Sequence, residues 1–562
     1  MDHKAGLNNN LASPLDSQSP KTLRLAGDFH SPLSSPASAA LRVPMLANAR
    51  MLSRRSFIIV AAFTIFACTL LLTSQRLNGP FGFDYASSDP AANPYPQDHA
   101  SSADADSKHQ SPHTTPHVSS HAAATMTVSV PPGNPKETLQ AAPAPAPVVK
   151  PGCEGFPDMS NIFVVLKTGA SEAYNRIPTQ LMTNLKCVPN YEIWSDMEQT
   201  IAGQPILDAL TDVLPDVKAH NDFEIYHHQA KCPIDQEHCN KGYDTASKGW
   251  SLDKYKNIHI AESNWANHSQ YDWFFYIDAD TYVSWPTLVE WFKRLNPATP
   301  AYFGSVALLG EFPFGHGGSG YAVSNAGMKK MFDGKSKVAN KYDEKATTTC
   351  CGDYLFAYAI KEEAQLDVQQ MFPTINGEKP YSMPFYDGHW CQPIITMHHL
   401  ASEEIDELDK FELRRRFKSP VLIKDVFHDI VQPKLRNDHV DWDNASDDVY
   451  YFDPTSRQFD AAEMKLRKQE AGYTDAEKQA HVSFDDCRAA CESVPACLQF
   501  RFGNRICSTA TAVRFGKPAE ATSEEGAYLK SGWMVHRINE WAKKHNDCGT
   551  PKFPELKDES EI

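Results

Sequence analysis

Three short apolar runs in the middle of the chain each end at a polar residue. The runs lie at 161–168, 191–196 and 272–278. Apolar stretches of this length predict buried strands, and patterns at 254–266 and 287–295 predict helices. This alternation predicts an α/β sandwich with a largely parallel sheet. Ligands bind such sheets at the carboxyl ends of the strands, which here are Thr168, Asp196 and Asp278.

A separate apolar run at 57–73 carries no charged residue. Its length is at the short end of what spans a bilayer, and it suits the thinner membranes of the early secretory pathway and the Golgi. Arg50, Arg54 and Arg55 precede the run and only Arg76 follows it closely, so the positive-inside rule predicts a cytosolic N-terminus and a lumenal remainder. A cleaved signal peptide is the alternative, but the leader is too long and lacks a clear cleavage site.

Composition divides the chain further. Ser, Pro and Ala dominate both flanks of the apolar run, and such segments cannot bury enough apolar surface to fold. The formal net charge is −16 without a basic stripe, so no nucleic-acid partner is expected. The predicted divisions are a disordered cytosolic tail at 1–56, a signal anchor at 57–73, a disordered stem at 74–150, a globular domain at 151–465, a cysteine-rich module at 470–548 and a tail at 549–562.

The chain has 13 cysteines, of which Cys68 lies inside the apolar run. The even number after it fits disulfide pairing in an oxidising compartment, although adjacent Cys350 and Cys351 are not expected to pair with each other. Sequons at Asn267 and Asn444 are candidate glycosylation sites and agree with lumenal exposure. A late cluster predicts a small disulfide-stapled module, with a zinc site as the alternative. Its disulfide candidates are Cys487, Cys491, Cys497 and Cys507.

Asp278 and Asp280 follow the third apolar run with one residue between them. Both carboxylates can face one pocket if the chain turns at the strand end. Oxygen ligands suit hard cations such as Mg²⁺ and Mn²⁺. A cation held there would neutralise the negative charge of a leaving diphosphate. A solvated turn is the alternative reading of the pair.

Four segments together resemble glycosyltransferase family 31, especially core 1 beta-1,3-galactosyltransferases and Fringe-like enzymes. They lie at 273–283, 316–324, 351–355 and 397–399. The resemblance implies a GT-A fold, a UDP-sugar donor, Mn²⁺ dependence and inversion at the anomeric carbon. Two positions depart from the family pattern: Ala279 stands where a third Asp is common, and Gly352 replaces a Glu.

The resemblance also assigns metal-site roles to individual residues. Asp280 is implied as a direct metal ligand with His398 as its nitrogen partner, and Mn²⁺ accepts such mixed ligation readily. Asp278 would hold the ribose, the sugar, the metal or its bound water. His399 is the alternative to His398, and a hydrogen-bonded core histidine is the alternative role for His398.

Asp353 is the candidate catalytic base, because it matches the acid of the family's Glu-Asp segment. An inverting transfer needs a base that takes the proton of the acceptor hydroxyl. A helix N-cap before 354–361 is the alternative role. The other candidates are Asp196 at the uridine, Thr168 and Arg176 at the nucleotide or diphosphate, and Gly317, Gly318 and Gly320 in an acceptor-side loop that is either a close backbone approach or a tight turn.

The cysteine cluster resembles a PAN/apple-type module, which binds carbohydrate or protein or buttresses a neighbouring domain. Together these features predict an inverting, metal-dependent Golgi enzyme of type II topology that moves galactose from a UDP-sugar to a glycan or glycoprotein acceptor in beta-1,3 linkage. Transfer of N-acetylglucosamine or glucose is one alternative. A non-catalytic lumenal lectin or chaperone with the same fold is the other.

Overall fold

The computed structural model describes residues 150–557 except 233, 457, 460 and 520–528. The predicted cytosolic tail, the anchor at 57–73 and the stem up to residue 149 lie outside the described residues. All described residues fall within one compact unit of the chain. Within the described ranges, no helix has both the length and the apolar character needed to cross a membrane.

An eight-stranded mixed sheet forms the centre of the N-terminal part. The strands of this part are β1 (Ile162–Lys167), β2 (Tyr191–Ser195), β3 (Gln199–Ile201), β4 (Gln204–Asp208), β5 (Trp273–Asp278), β6 (Tyr282–Val283), β7 (Tyr302–Gly304), β8 (Val306–Leu309), β9 (Phe312–Gly315), β10 (Tyr321–Ser324), β11 (Val368–Gln370) and β12 (Thr396–Met397). The order across the sheet is β11-β7-β10-β5-β1-β2-β4-β3.

The sheet mixes both strand directions. Strand β1 runs parallel to β2 and β5, β2 to β4, and β7 to β11. The neighbours β5 and β10, β7 and β10, and β3 and β4 run antiparallel. The predicted α/β class is therefore confirmed, with a mixed sheet in place of a largely parallel one.

Helices pack on both faces of this sheet. The helices of the N-terminal part are α1 (Ala170–Met182), α2 (Pro215–Lys218), α3 (Glu224–Gln229), α4 (Gln236–Cys239), α5 (Thr245–Asp253), α6 (Lys256–His268), α7 (Trp285–Phe292), α8 (Asn325–Phe332), α9 (Asp343–Ala346), α10 (Gly352–Ala364), α11 (Ser402–Arg415) and α12 (Ile423–Val426). Helices α1 and α7 share one hydrophobic core with the sheet, and α6, α8 and α10 share the other. Short 3₁₀ turns lie at Asn221–Phe223, Ala339–Tyr342 and Gln432–Lys434, and a π-helical turn at Phe427–Val431.

Strand β5 shows why the central strands are apolar without alternation. Phe274 and Tyr276 lie in one core, whereas Trp273, Phe275 and Ile277 lie in the other. A strand that is covered on both faces needs apolar side chains at every position. The charged residue at its end is therefore the point where the chain leaves the core.

A second, five-stranded sheet lies in the C-terminal part and is antiparallel. Its order is β13-β19-β16-β17-β15. The elements of this part are β13 (Asp438–Val440), β14 (Trp442–Asp443), β15 (Val449–Tyr451), α13 (Ala461–Leu466), a 3₁₀ turn at Glu470–Gly472, α14 (Asp475–Gln479), α15 (Phe484–Ser493), β16 (Gln499–Gly503), β17 (Ile506–Ala510), β18 (Lys517–Pro518), β19 (Lys530–Trp533) and α16 (Val535–Lys544). The sheet thus draws on chain from both sides of the predicted boundary at 465–470.

Disulfides fix α15 to this sheet and confirm a disulfide-rich C-terminal module. The four candidate cysteines pair as Cys487–Cys507 and Cys491–Cys497. The PAN/apple likeness itself stays a prediction. Outside the module, the structure pairs Cys153 with Cys187, Cys232 with Cys239 and Cys391 with Cys548.

The expectation for Cys350 and Cys351 is wrong, because the structure joins these neighbours in a disulfide. They come directly before α10, and the backbone of Cys351 is extended there, with φ −145° and ψ 142°. Cys350 and Cys351 therefore pair just before the helix begins, where the backbone is still extended.

Asn444 is also corrected as a glycosylation candidate. Its side chain is fully buried, and its amide donates to the carbonyl oxygens of Phe500 and Gly532 at 3.1 and 3.2 Å. A glycan on this nitrogen would break both hydrogen bonds, and it would have no access to solvent. Asn267, in contrast, lies exposed near the end of α6 and remains a candidate.

The module and the N-terminal part share a core. Phe385 and Val513 exchange two backbone hydrogen bonds of 2.8 and 2.9 Å, and one apolar cluster contains side chains from both parts. The segment after α16 returns to the main domain, where Trp291 donates to the carbonyl oxygen of Pro554 at 2.8 Å. The last described residues therefore pack against the N-terminal part.

Candidate active site

A side chain of helix α1 hydrogen-bonds to the backbone of the turn after β5. Asp278 ends β5, and Asp280 follows in the turn. The buried amide of Gln180 donates to the carbonyl oxygens of Ala279 and Thr281 at 2.7 and 3.0 Å. The two acids therefore lie on a fixed backbone at the carboxyl edge of the sheet.

A two-stranded ribbon brings distant histidines to this turn. Strand β12 pairs antiparallel with β6, with Met397 opposite Tyr282. The next residue, His398, then lies beside Asp280, with 3.2 Å between Nε2 and Oδ1. One ligand atom each from Asp280, His398 and His399 lies within 4.8 Å of the others. The structure thus brings together two of the three predicted metal ligands, Asp280 and His398, with His399, the alternative to His398. Asp278 is not part of this set.

Arg176 lies beside the same set. Its guanidinium donates to the carbonyl oxygen of Leu400 at 2.7 Å, and the amide of Leu400 donates to the carbonyl oxygen of Asp280 at 3.0 Å. Its positive charge helps to lower the pKa of Asp280. Arg176 is therefore placed to face a negatively charged group that binds at Asp280.

The two acids of the turn differ in their electrostatics. Burial opposes ionisation of Asp280, but the hydrogen bond and charge of His398 outweigh it and lower its pKa to about 2. Burial raises the pKa of Asp278, although the charge of Lys167 opposes that rise. Asp280 is thus the more firmly ionised member of the pair.

The donor set fits a divalent cation. A carboxylate oxygen and imidazole nitrogens are a mixture that Mn²⁺ accepts. The Nδ1 atom of His398 is buried and has no hydrogen-bond partner among the described residues, so one ring nitrogen is left for another ligand. Asp280, His398 and His399 would hold such an ion.

The glycine-rich loop passes directly under His398. A Cβ atom at Gly318 would overlap the imidazole ring, and Thr281 donates to the carbonyl oxygen of Gly318 at 2.7 Å. Gly320 has φ +87°, a conformation that glycine adopts without strain. Gly318 is therefore required for the close approach of a protein side chain, and Gly320 allows the backbone to turn.

Asp353 contacts the same glycine-rich loop one residue earlier, at Gly317. Its Oδ2 atom accepts a hydrogen bond of 2.8 Å from the amide of Gly317, and Oδ1 accepts one of 2.8 Å from Tyr354. Helix α10 begins at Gly352 with Cys351 as its N-cap, so Asp353 lies in the first turn and is not the N-cap. Burial raises its pKa to about 6, against the effect of the Gly317 bond and of Lys167. A carboxylate with such a pKa is suited to accept a proton near neutral pH.

Asp196 and Thr168 meet at the start of α1 rather than at the metal ligands. Asp196 is buried, and its Oδ1 atom accepts a hydrogen bond of 2.5 Å from the amide of Ala170. Lys256 lies 3.6 Å from its Oδ2 atom and donates to the carbonyl oxygen of Thr168 at 2.9 Å. The proposed contact of Asp196 with uridine remains a prediction.

A largely buried lysine at the end of β1 was not predicted from the sequence. The Nζ atom of Lys167 lies 2.6 Å from both carboxylate oxygens of Asp253 and 3.3 Å from Oδ1 of Asp278. The charge of Lys167 also acts on Asp353. The sequence indicates this contact only by a lysine at the end of an apolar strand. Its partner Asp253 lies in helix α5, far from Lys167 along the chain.

Residues 158–372 match the family model described as Fringe-like. This segment is a Fringe-like domain of glycosyltransferase family 31. Such domains are glycosyltransferases of the GT-A type and generally depend on a divalent metal, with a nucleotide-sugar donor and a glycan acceptor. The curated proteins compared with the chain include no match.

The Fringe-like match does not include every candidate metal ligand. It ends at residue 372, so His398 and His399 lie beyond it, whereas Asp278, Asp280 and Asp353 lie inside. The pairing of β12 with β6 returns the later segment to the domain. The candidate metal-binding set therefore combines one residue of the matched segment with two from chain outside it.

Proposed function

We propose that the chain is an inverting, metal-dependent glycosyltransferase that moves galactose from UDP-galactose to a glycan acceptor in beta-1,3 linkage. One observation carries the proposal. Asp353 lies beside Gly317 and the set of Asp280, His398 and His399 lies beside Gly318, so base and cation ligands meet at one loop of a Fringe-like domain. Inversion requires a base and a leaving-group site on opposite sides of one sugar.

The proposed roles follow from charge and position. A Mn²⁺ ion held by Asp280, His398 and His399 would neutralise the diphosphate of the leaving UDP. Arg176 faces the same negative charge from α1. Asp353 accepts the proton of the acceptor hydroxyl while that oxygen attacks the anomeric carbon. Its hydrogen bond from Gly317 fixes the carboxylate in the position from which it acts.

A lumenal location in the Golgi, with type II topology, belongs to the same proposal. It is supported by the apolar run at 57–73, by the arginines before it and by the disulfides of the described part, which persist in oxidising compartments. Protease protection of a C-terminal tag in intact microsomes tests the topology. Digestion of the tag without detergent would exclude it.

The activity is tested by a donor screen with the full-length chain. UDP release from UDP-galactose, UDP-N-acetylglucosamine and UDP-glucose is measured with glycan acceptors, with Mn²⁺ or with a chelator. We expect acceptor-dependent release that needs the metal and is fastest with UDP-galactose. Glycan binding without any turnover would favour the lectin alternative, and a faster second donor would replace galactose.

A further inference from the structure

Asp253 is a partly exposed acid beside the candidate active site, and none of the proposed steps uses its carboxylate. It ends helix α5, and its carboxylate is 29% exposed although both oxygens contact Lys167. Asp278, on the other side of Lys167, is 28% exposed. One largely buried lysine thus contacts two carboxylates that are both partly exposed.

The approach of this segment to α10 explains its position. A Cβ atom at Gly352 would lie 2.6 Å from the carbonyl oxygen of Asp253, so any other residue at 352 would push the two helices apart. Gly352 directly precedes Asp353. The end of α5 is therefore packed against the helix that carries the candidate base, and the charge of Asp253 acts on Asp353.

The donor sugar must lie over these side chains if the proposed function holds. Its anomeric carbon has to lie between the diphosphate, bound at Asp280, and the acceptor hydroxyl, bound at Asp353. Lys167 links the side chains between these points, because it contacts Asp278 and Asp253 and its charge reaches Asp353. The hydroxyl groups of the sugar therefore face this cluster.

We propose that Asp253 is a specificity-determining residue that accepts a hydrogen bond from a hydroxyl group of a neutral donor sugar. This inference rests on the proposed function. An ionised carboxylate offers about four acceptor sites, and Lys167 fills only some of them. The neighbouring acids Asp278 and Asp353 add negative charge, so a donor sugar that carries a carboxylate is repelled.

The substitution Asp253→Asn tests the hydrogen bond because it keeps the shape of the side chain and removes its charge. Calorimetric titrations of the full-length chain with Mn²⁺ compare UDP with the UDP-hexose that the unaltered chain uses. We expect unchanged affinity for UDP and affinity for the UDP-hexose reduced about 10–100-fold, as for a hydrogen bond to a charged group. The matched control is Asp222→Asn, which also alters an ion-paired acid but one that contacts Lys254 and Tyr255.

Monodeoxy donors identify the hydroxyl group. For the deoxy donor that lacks the contacted hydroxyl, the unaltered chain and Asp253→Asn should bind equally, whereas the other deoxy donors should keep the difference. The variant should also discriminate less against UDP-glucuronate. An equal loss for UDP and for every UDP-hexose would make Asp253 only a structural counter-ion and overturn the inference without touching the proposed function.

Two further outcomes are separate. Unchanged affinity of Asp253→Asn for every UDP-hexose would also overturn the inference. If the unaltered chain binds neither UDP nor any UDP-hexose with Mn²⁺, the proposed function fails and the inference fails with it. The UDP titration of the unaltered chain therefore distinguishes the two failures.

Discussion

Gly318 lies so close beneath the His398 imidazole that a Cβ atom at position 318 would overlap the ring. A glycine that resembled an acceptor-side feature in the sequence thus makes room for a candidate metal ligand. The loop and the ligand depend on each other, although they lie far apart in the chain.

The substitution Gly318→Ala should therefore act on metal binding. The new methyl group displaces His398 from Asp280, and changes to groups that orient metal ligands typically cost about 10–100-fold in metal affinity. Mn²⁺ titration of the full-length chain measures the effect. Gly472→Ala is the control, because the nearest atom to a Cβ there lies at 3.8 Å. Equal Mn²⁺ affinity in both variants would contradict the predicted displacement.

Metal binding and proton transfer should separate in two other variants. Asp280→Ala removes a carboxylate ligand, so we expect UDP binding to lose its dependence on Mn²⁺. Asp353→Asn keeps the side-chain shape, so UDP and Mn²⁺ should still bind while transfer falls by about 100-fold or more. Calorimetry and turnover measured on the same preparations distinguish the two. Near-normal turnover of Asp353→Asn would exclude it as the base.

The pH profile of transfer gives a second test of Asp353. Burial raises the pKa of this carboxyl to about 6, with Lys167 opposing and Asp253 reinforcing the shift. A base acts only when deprotonated, so turnover should fall below about pH 6, by up to about tenfold per unit. The residual activity of Asp353→Asn should lack this acidic limb. An unchanged limb in the variant would assign it to another group.

The sequence predicted the elements that have a clear local pattern. Strand β5 is apolar at every position because both faces are covered, and Asp278 and Asp280 follow where the strand leaves the core. Helix α6 was expected at 254–266 and extends from Lys256 to His268. Such features depend on residues that are close together in the chain.

Features that depend on tertiary contacts could not be predicted in this way. Asp253 reaches the pocket only because Gly352 lets two helices touch, and no periodicity indicates such a contact. Asn444 belongs to a valid sequon, yet strands β16 and β19 bury it. Cys350 and Cys351 form a disulfide, although adjacent cysteines are generally not expected to pair with each other.

Glycan occupancy should follow the burial of the two sequons. Asn267 is exposed on α6, so glycopeptide mass spectrometry of the folded protein should find a glycan there. Asn444 should be unmodified, because its amide already donates to Phe500 and Gly532. Asn444→Gln should lower the melting temperature, whereas Asn267→Gln should change it little. A glycan on Asn444 in the folded protein would refute the assignment.

Glu412 predicts a pH dependence of stability that is independent of catalysis. It is 3% exposed on α11 and accepts a hydrogen bond from Ser284, and burial raises its pKa from 4.5 to about 7. The unfolded chain therefore releases this proton at lower pH than the folded chain does. The group favours the folded state at low pH, and this contribution is lost as the pH rises from about 4.5 to 7.

The loss amounts to at most about 3.5 kcal/mol of the free energy of unfolding, because one pKa unit corresponds to about 1.4 kcal/mol. Glu412→Gln stays neutral at every pH, so its melting temperature should fall less than that of the unaltered chain between pH 5 and pH 8. Glu403→Gln, which changes an exposed acid on the same helix, should behave like the unaltered chain. If Glu412→Gln loses as much stability over this interval as Glu403→Gln, the buried carboxyl does not titrate there.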